Sequence, residues 1–144
     1  MFIGVVEGVT DELVAAFERL VPQLTDSHPP PGRQALVDLV ASESSRLLIA
    51  RYPDETGSIV GALCLVIYRV PTGPRATVED VIVDDDARGR GIGEALMQRA
   101  ISIARTAGAA SLALTSNPRR AAANRLYQRL GFSKRDTNAY ILKL

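Results

Sequence analysis

The 144-residue chain holds one cysteine, one histidine and, before Lys134, no lysine. A single thiol closes no internal disulfide. The run Ala62-Leu63-Cys64-Leu65-Val66 makes Cys64 a small apolar side chain of a buried strand. A nucleophilic thiol would need a basic partner, and the lone His28 lies in a proline-rich loop with no sign of such a pairing. Charge is nearly balanced, 17 Lys and Arg against 16 Asp and Glu, which leaves +1. Phosphate-backbone binding relies on a marked basic excess, and three Phe with four Tyr offer few stacking platforms, so no nucleic-acid partner is expected. The longest apolar run, residues 59–68, is too short to cross a bilayer, and the N-terminus lacks a basic-then-apolar leader pattern. No membrane partner and a cytoplasmic location are the default expectations.

What is present suits a folded domain. Hydrophobic residues make up 47% and charged residues 23%. The length buries a core without help from a metal or a disulfide. One α/β domain over residues 1–144, with a mixed sheet, is the expected architecture. Residues 2–9 read as a first strand. Thr10 caps a helix whose Leu13, Val14, Phe17, Leu20, Val21 and Leu24 recur at helical spacing, with Asp11 and Glu12 in its first turn. Residues 25–32, with three consecutive prolines, end that helix, and residues 33–43 form a second one. Strands over residues 46–52, 58–70 and 76–83, joined by short turns, make an antiparallel meander. A helix over residues 94–107 stops at Gly108, and residues 111–115 form a short, buried and parallel strand. Asn117-Pro118 reads as an N-cap and first position of a last helix reaching Leu130 and closed by Gly131. A terminal hairpin around Asp136-Thr137-Asn138 completes the reading.

Between the third meander strand and its helix lies Arg88-Gly89-Arg90-Gly91-Ile92-Gly93. Strand, glycine-rich turn and helix together aim free backbone N–H groups and a positive helix end at an anion. Glycines remove the Cβ atoms that would hold a phosphate off that backbone, and the two arginines can add charge-assisted contacts. Two common phosphate loops do not fit. A P-loop needs Gly-Lys-Ser/Thr, and no lysine stands there. A dinucleotide fingerprint needs a glycine where this chain has Glu94 or Leu96, depending on the starting glycine.

The spacing Arg-x-x-Gly-x-Gly, carried by Arg88, Gly91 and Gly93, resembles the signature of the GNAT superfamily of acyl-CoA-dependent N-acetyltransferases. A second feature, aliphatic-Tyr-x-x-x-Gly-Phe, is matched by Leu126, Tyr127, Gly131 and Phe132. The order of elements is similar too, so the resemblance covers essentially the whole chain. It implies about four helices and a mostly antiparallel sheet splayed between its fourth and fifth strands. It also implies acetyl-CoA as acyl donor, with no metal. The diphosphate of coenzyme A would be held by backbone amides of Arg88, Gly89, Arg90, Gly91, Ile92 and Gly93. The pantetheine arm would lie along the backbone of Val81, Ile82 and Val83, with the Val81 N–H as donor to the developing oxyanion.

The resemblance assigns Tyr127 as the acid that protonates the leaving thiolate; without that role it is an amphipathic core residue near a helix end. Glu79 is the candidate base, on the strand face shared with Val81 and Val83, where partial burial would make a carboxylate a better base. Its other reading is a surface charge paired with an arginine. Asn124, on the helix face of Tyr127, is a candidate contact to the pantetheine arm. Many relatives instead place an asparagine seven residues before the tyrosine, where this chain has Arg120. Arg119, Arg120, Arg125 and Arg129 form either a contact to the cofactor's 3′-phosphate or a solvated face. The implied acceptor is a primary amine of a small molecule or a protein. Its contacts would come from residues 25–32, including Asp26 and His28, and from residues 136–140, including Asp136 and Tyr140. The rival function is a non-catalytic acyl-CoA sensor or regulatory module. A homodimer through an edge or terminal strand is compatible with the sequence.

Overall fold

The computed structural model describes all 144 residues. They cluster into two compact units, Met1–Leu114 and Thr115–Leu144. In the first unit the elements run β1 (Phe2–Val5), α1 (Asp11–Leu24), α2 (Arg33–Ala41), β2 (Ser45–Tyr52), β3 (Ser58–Val70), β4 (Gly73–Val83), a 3-10 turn (Asp85–Ala87), α3 (Ile92–Thr106) and β5 (Leu112–Ala113). The five strands form one sheet in the order β1-β2-β3-β4-β5. Every neighbouring pair is antiparallel except β4–β5, which is parallel. The expected meander and parallel fifth strand are therefore present.

Local chemistry sets the helix ends. Thr10 Oγ1 accepts from Leu13 N at 3.1 Å, and Asp11 and Glu12 complement the dipole of the first turn of α1. The buried stripe of α1 (Leu13, Ala16, Phe17, Leu20 and Val21) packs with Leu36 of α2 against Leu47, Ile49, Ile59, Ala62 and Ile82 of the sheet. Glu12 receives both guanidinium ends of Arg51, at 2.7 and 2.8 Å, which ties the start of α1 to the end of β2. On the opposite sheet face α3 packs against β1 to β4. Its Ile92, Leu96, Met97, Ala100 and Ala104 are buried, as are Leu48, Leu63, Leu65, Ala76 and Val78 of the strands. Each such leucine contributes about 1.5–3 kcal/mol by leaving water.

Two irregularities bear on β4, apart from the register shift between Ala50 and Arg51 where β2 meets β3. Ala62 pairs with Ile82 and Cys64 with Glu79, so one extra residue of β4 is accommodated between them. The bulge falls at Asp80, a non-glycine residue with φ 51°. β5, expected over residues 111–115, pairs at only two positions, Ala76 with Leu112 and Thr77 with Ala113. From Val78 onward the outer edge of β4 has no neighbouring strand, which is the opening expected between the fourth and fifth strands.

In the second unit α4 spans Ala121–Arg129. Asn117-Pro118 does not begin this helix. Asn117 instead closes a separate turn, its Oδ1 accepting from Arg119 N at 2.9 Å and its carbonyl from Arg120 N at 3.0 Å. Arg120, at φ −82° and ψ 64°, breaks the path between that turn and the helix. The expected terminal hairpin is absent: residues 132–144 form no strand. Tyr140, Ile141, Leu142 and Leu144 of that segment are all more than four-fifths exposed. A turn sequence and β-prone residues did not suffice, because a hairpin needs its own cross-strand pairs to hold it.

Candidate active site

The glycine loop begins where β4 ends. Asp84 N donates to Val60 O at 2.8 Å, the last main-chain tie of β4 to β3. The 3-10 turn then leads to Arg88, Gly89 and Arg90, and Gly91 caps α3 in the left-handed conformation, φ 75° and ψ 10°. α3 thus starts at Ile92, two residues before the expected 94, and takes Ile92 and Gly93 into its first turn. The reason is Ile92 itself, 1% exposed, whose side chain anchors that turn in the core. Ala95 N makes the first helical bond, to Gly91 O at 3.0 Å, so the amides of Ile92 and Gly93 precede the ladder. No side chain caps this end. A Cβ built on Gly89 or Gly91 would meet no atom within 4 Å, so open space stands beside these backbones. Free N–H groups at a helix start, with no Cβ beside them, are the kind of backbone that can bind an anion.

The two loop arginines have partners within the protein. Arg88 Nη2 lies 2.7 Å from Asp85 Oδ1, with both side chains more than half exposed. The Arg90 guanidinium carbon lies 4.9 Å from the ring centre of Tyr52, and its Nη2 reaches Asp86 O at 3.4 Å. Their availability to an anion therefore depends on exchanging these contacts.

Along β4, strand alternation from the Asp84–Val60 bond turns the main-chain N–H and C=O of Val83 and Val81 towards the open edge. Ile82 is different. Its backbone faces β3 and its side chain, 3% exposed, belongs to the core beneath α1. The bulge also corrects the expected face of Glu79. Glu79 pairs with Cys64 and Ile82 with Ala62, whereas Val83 pairs with Gly61 on the other face. The extra residue reverses the side-chain alternation that the sequence alone would give. Glu79 thus shares the α1 face with Thr77, whose Oγ1 lies 3.5 Å from Glu79 Oε1, and it is exposed rather than partly buried. Burial pushes the Cys64 thiol up, with the Asp80 and Glu79 charges adding to the effect, so Cys64 stays a neutral thiol in its strand.

In the second unit the Tyr-x-x-x-Gly-Phe pattern is a helix stop. Phe132 N donates to Tyr127 O and Gly131 N to Gln128 O, both at 3.0 Å, with Gly131 at φ 93°. The Phe132 ring packs edge-on against that of Tyr127, centroids 6.0 Å apart. Tyr127 is 7% exposed, and burial pushes its phenol above the ordinary range, with the Arg120 charge opposing. Asn124 is half-buried, and its Nδ2 donates to Asn117 O at 3.0 Å, bracing the turn ahead of α4. Asp26, His28, Asp136 and Tyr140 are exposed. A cleft of about 340 Å³ between β1, the end of α2 and the start of β2 contains none of the expected site residues.

The sequence did not point to the side chains that fasten this loop to α1. Arg19 Nε donates to Asp84 Oδ2 at 2.9 Å, and Gln23 Oε1 accepts from Asp85 N at 2.8 Å. The one available signal was Asp84-Asp85-Asp86, an Asx-type turn in which Asp84 Oδ1 accepts from Asp86 N at 3.2 Å. Nothing in the sequence pairs positions 19 and 84.

Comparison with known proteins agrees with this geometry. Residues 12–132 match the model of the acetyltransferase (GNAT) family. An L-methionine sulfoximine/L-methionine sulfone acetyltransferase of Pseudomonas aeruginosa is 37% identical over 102 residues, covering 70% of this chain and 58% of that protein. The chain thus spans little more than half of that relative's length. An IAA acetyltransferase of Azospirillum brasilense is 32% identical over 126 residues, covering 87% of this chain and 79% of its own. In fold, the chain superposes on a solved structure from Agrobacterium tumefaciens with TM-score 0.84 at 22% identity, covering 99% and 100% of the two chains. The glycine turn that caps α3, the bulged β4 with its open edge and the tyrosine helix stop are therefore features of a chain that belongs to the GNAT acetyltransferase family.

Proposed function

We propose that this chain is an acyl-CoA-dependent N-acetyltransferase that moves the acetyl group of acetyl-CoA to a primary amine by direct attack. What supports the reading, beside family membership, is the cradle at Gly89 and Gly91, where space is left beside two left-handed glycines at an uncapped helix start. In this reading the amides of residues 89–93 hold the diphosphate, that of Arg88 being given to Asp85 O at 3.4 Å. The open edge of β4 at Val81 and Val83 pairs with the amide groups of the pantetheine arm. Ile82 contributes only by anchoring the strand in the core.

The chemistry needs few protein groups. A neutral amine nitrogen attacks the acetyl carbonyl carbon and a C–N bond forms. The C–S bond breaks and its electrons leave on sulfur. Val81 N–H stabilises the charge that develops on the carbonyl oxygen. Tyr127 gives its proton to the departing sulfur, and the proton that the newly acylated nitrogen sheds restores the phenol through solvent; a phenol whose pKa is raised by burial holds its proton at neutral pH, as an acid must. Glu79, exposed on the α1 face, takes the proton of the incoming ammonium directly or through water. One relative is named for L-methionine sulfoximine, which bears a primary amine, and the reading extends to that chemical class and not to one compound.

A panel of amino acids, amino sugars, polyamines and amine-bearing peptides incubated with acetyl-CoA, with free thiol followed, tests it. Thiol release with at least one amine is the expected result. Silence across the panel with tight coenzyme A binding would convert the protein into a non-catalytic acyl-CoA sensor. Absence of any coenzyme A binding would remove the cofactor reading itself.

A further inference from the structure

Asp84 stands between the last paired residue of β4 and the glycine loop, and both of its oxygens are committed. Oδ1 closes the 3-10 turn by accepting from Asp86 N, and Oδ2 accepts from Arg19 Nε of α1. The same guanidinium donates through Nη2 to Ile59 O of β3, so one side chain spans helix, strand and loop. One turn further along α1, Gln23 accepts from Asp85 N and donates to Arg19 O at 3.2 Å. The side chain of Asp84 is 13% exposed, whereas Arg88 and Asp85 farther along the loop are both more than half exposed. The end of the loop held by the most side-chain bonds is thus its beginning, and α1 supplies those bonds.

We propose that Arg19 and Asp84, seconded by Gln23, are positioning residues that hold the start of the glycine loop so that its amides converge on the diphosphate of the acyl donor. This rests on the coenzyme A reading above. Neither residue touches the donor. Their effect is preorganisation: a turn already held in its binding shape does not have to be ordered when the ligand arrives. The competing account is that the ion pair only ties α1 to the sheet and adds to stability alone.

The two accounts separate by ligand. Coenzyme A carries the diphosphate and pantetheine does not. In Arg19→Met the dissociation constant for coenzyme A, read by titration calorimetry, should rise about tenfold. That for pantetheine, read by NMR titration, should stay within about twofold. Arg19→Lys keeps one cationic contact but cannot serve Asp84 and Ile59 together, and it should fall between. Should Arg19→Met fail to fold, Arg19→Lys shows the same split at smaller size. Unchanged affinity for coenzyme A in both variants, or an equal loss for both ligands, would overturn the positioning role. Failure of the unsubstituted protein to bind coenzyme A is a different result, which overturns the cofactor reading and the clamp with it.

Discussion

Tyr127 does two things at once, and the physical causes are separable. Its carbonyl and ring complete a helix stop with Phe132, for which phenylalanine would serve as well. Its hydroxyl matters only if a proton is to be delivered. Tyr127→Phe should therefore leave the melting temperature and coenzyme A affinity nearly unchanged while slowing turnover by about 10²-fold or more. Steady-state kinetics on an accepted amine, alongside calorimetry, checks this; unaltered turnover would take the phenol out of the mechanism. Asp84 gives a second prediction at the same scale. The Arg19 hydrogen bond, more than anything else, holds its carboxyl below the usual carboxylate range. A depressed folded-state pKa means stability that is present above the unfolded value of about 3.9 and lost as pH falls through the folded value. Because the Arg19 side chain is 47% exposed, solvent screens the pair and its contribution is no more than about 1 kcal/mol. Urea denaturation should show the parent chain more stable than Arg19→Met near neutrality, with the gap narrowing as pH falls below about 4, where only the Arg19–Ile59 bond and packing remain. A gap that did not change with pH would mean that the Asp84 pair adds nothing to stability.

At the scale of elements, α3 has two ends built from the same conformation for different purposes. Gly91 precedes it at φ 75° and Gly108 follows it at φ 80°, and a Cβ at either would meet nothing within 4 Å. Alanine at either position should thus cost about the same, roughly 1–2 kcal/mol of left-handed strain. Only Gly91→Ala, which puts a methyl where the proposed diphosphate lies, should also lose coenzyme A binding. Paired denaturation and calorimetry on the two variants decide it, and equal binding by both would refute the cradle. Helix stops and caps of this kind were readable residue by residue, as with Thr10, Gly108 and Gly131, because each depends on a few neighbouring atoms. The bulge at Asp80 was not readable. No glycine marks it, and it shows only in the register of β4 against β3.

Over the whole chain, order is unevenly shared. The β2–β3–β4 ladders are covered by helices on both faces in the first unit, whereas residues 132–144 of the second form no strand and carry four exposed large apolar side chains. Native-state hydrogen exchange should find the slowest amides near Leu48 and Leu63, and amides 133–144 exchanging nearly as fast as in an unfolded chain. Strong protection in that last segment would show that it pairs in solution after all. No helix is long and apolar enough to cross a membrane.

Periodicity and local capping chemistry, which act over three or four residues, were enough to place the helices to within a turn, the antiparallel meander and the glycine turn, although the Asn117-Pro118 signal proved to close a separate turn. The two motifs, carried by Arg88, Gly91 and Gly93 and by Tyr127, Gly131 and Phe132, were equally legible, since each is a backbone device with a short-range cause. Tertiary structure alone decided which sheet face Glu79 occupies, that Ile82 serves the core, that Arg90 lies over Tyr52, and that Arg19 grips Asp84. These outcomes depend on strand register and on contacts between residues far apart in the chain, and neither leaves a mark on local composition.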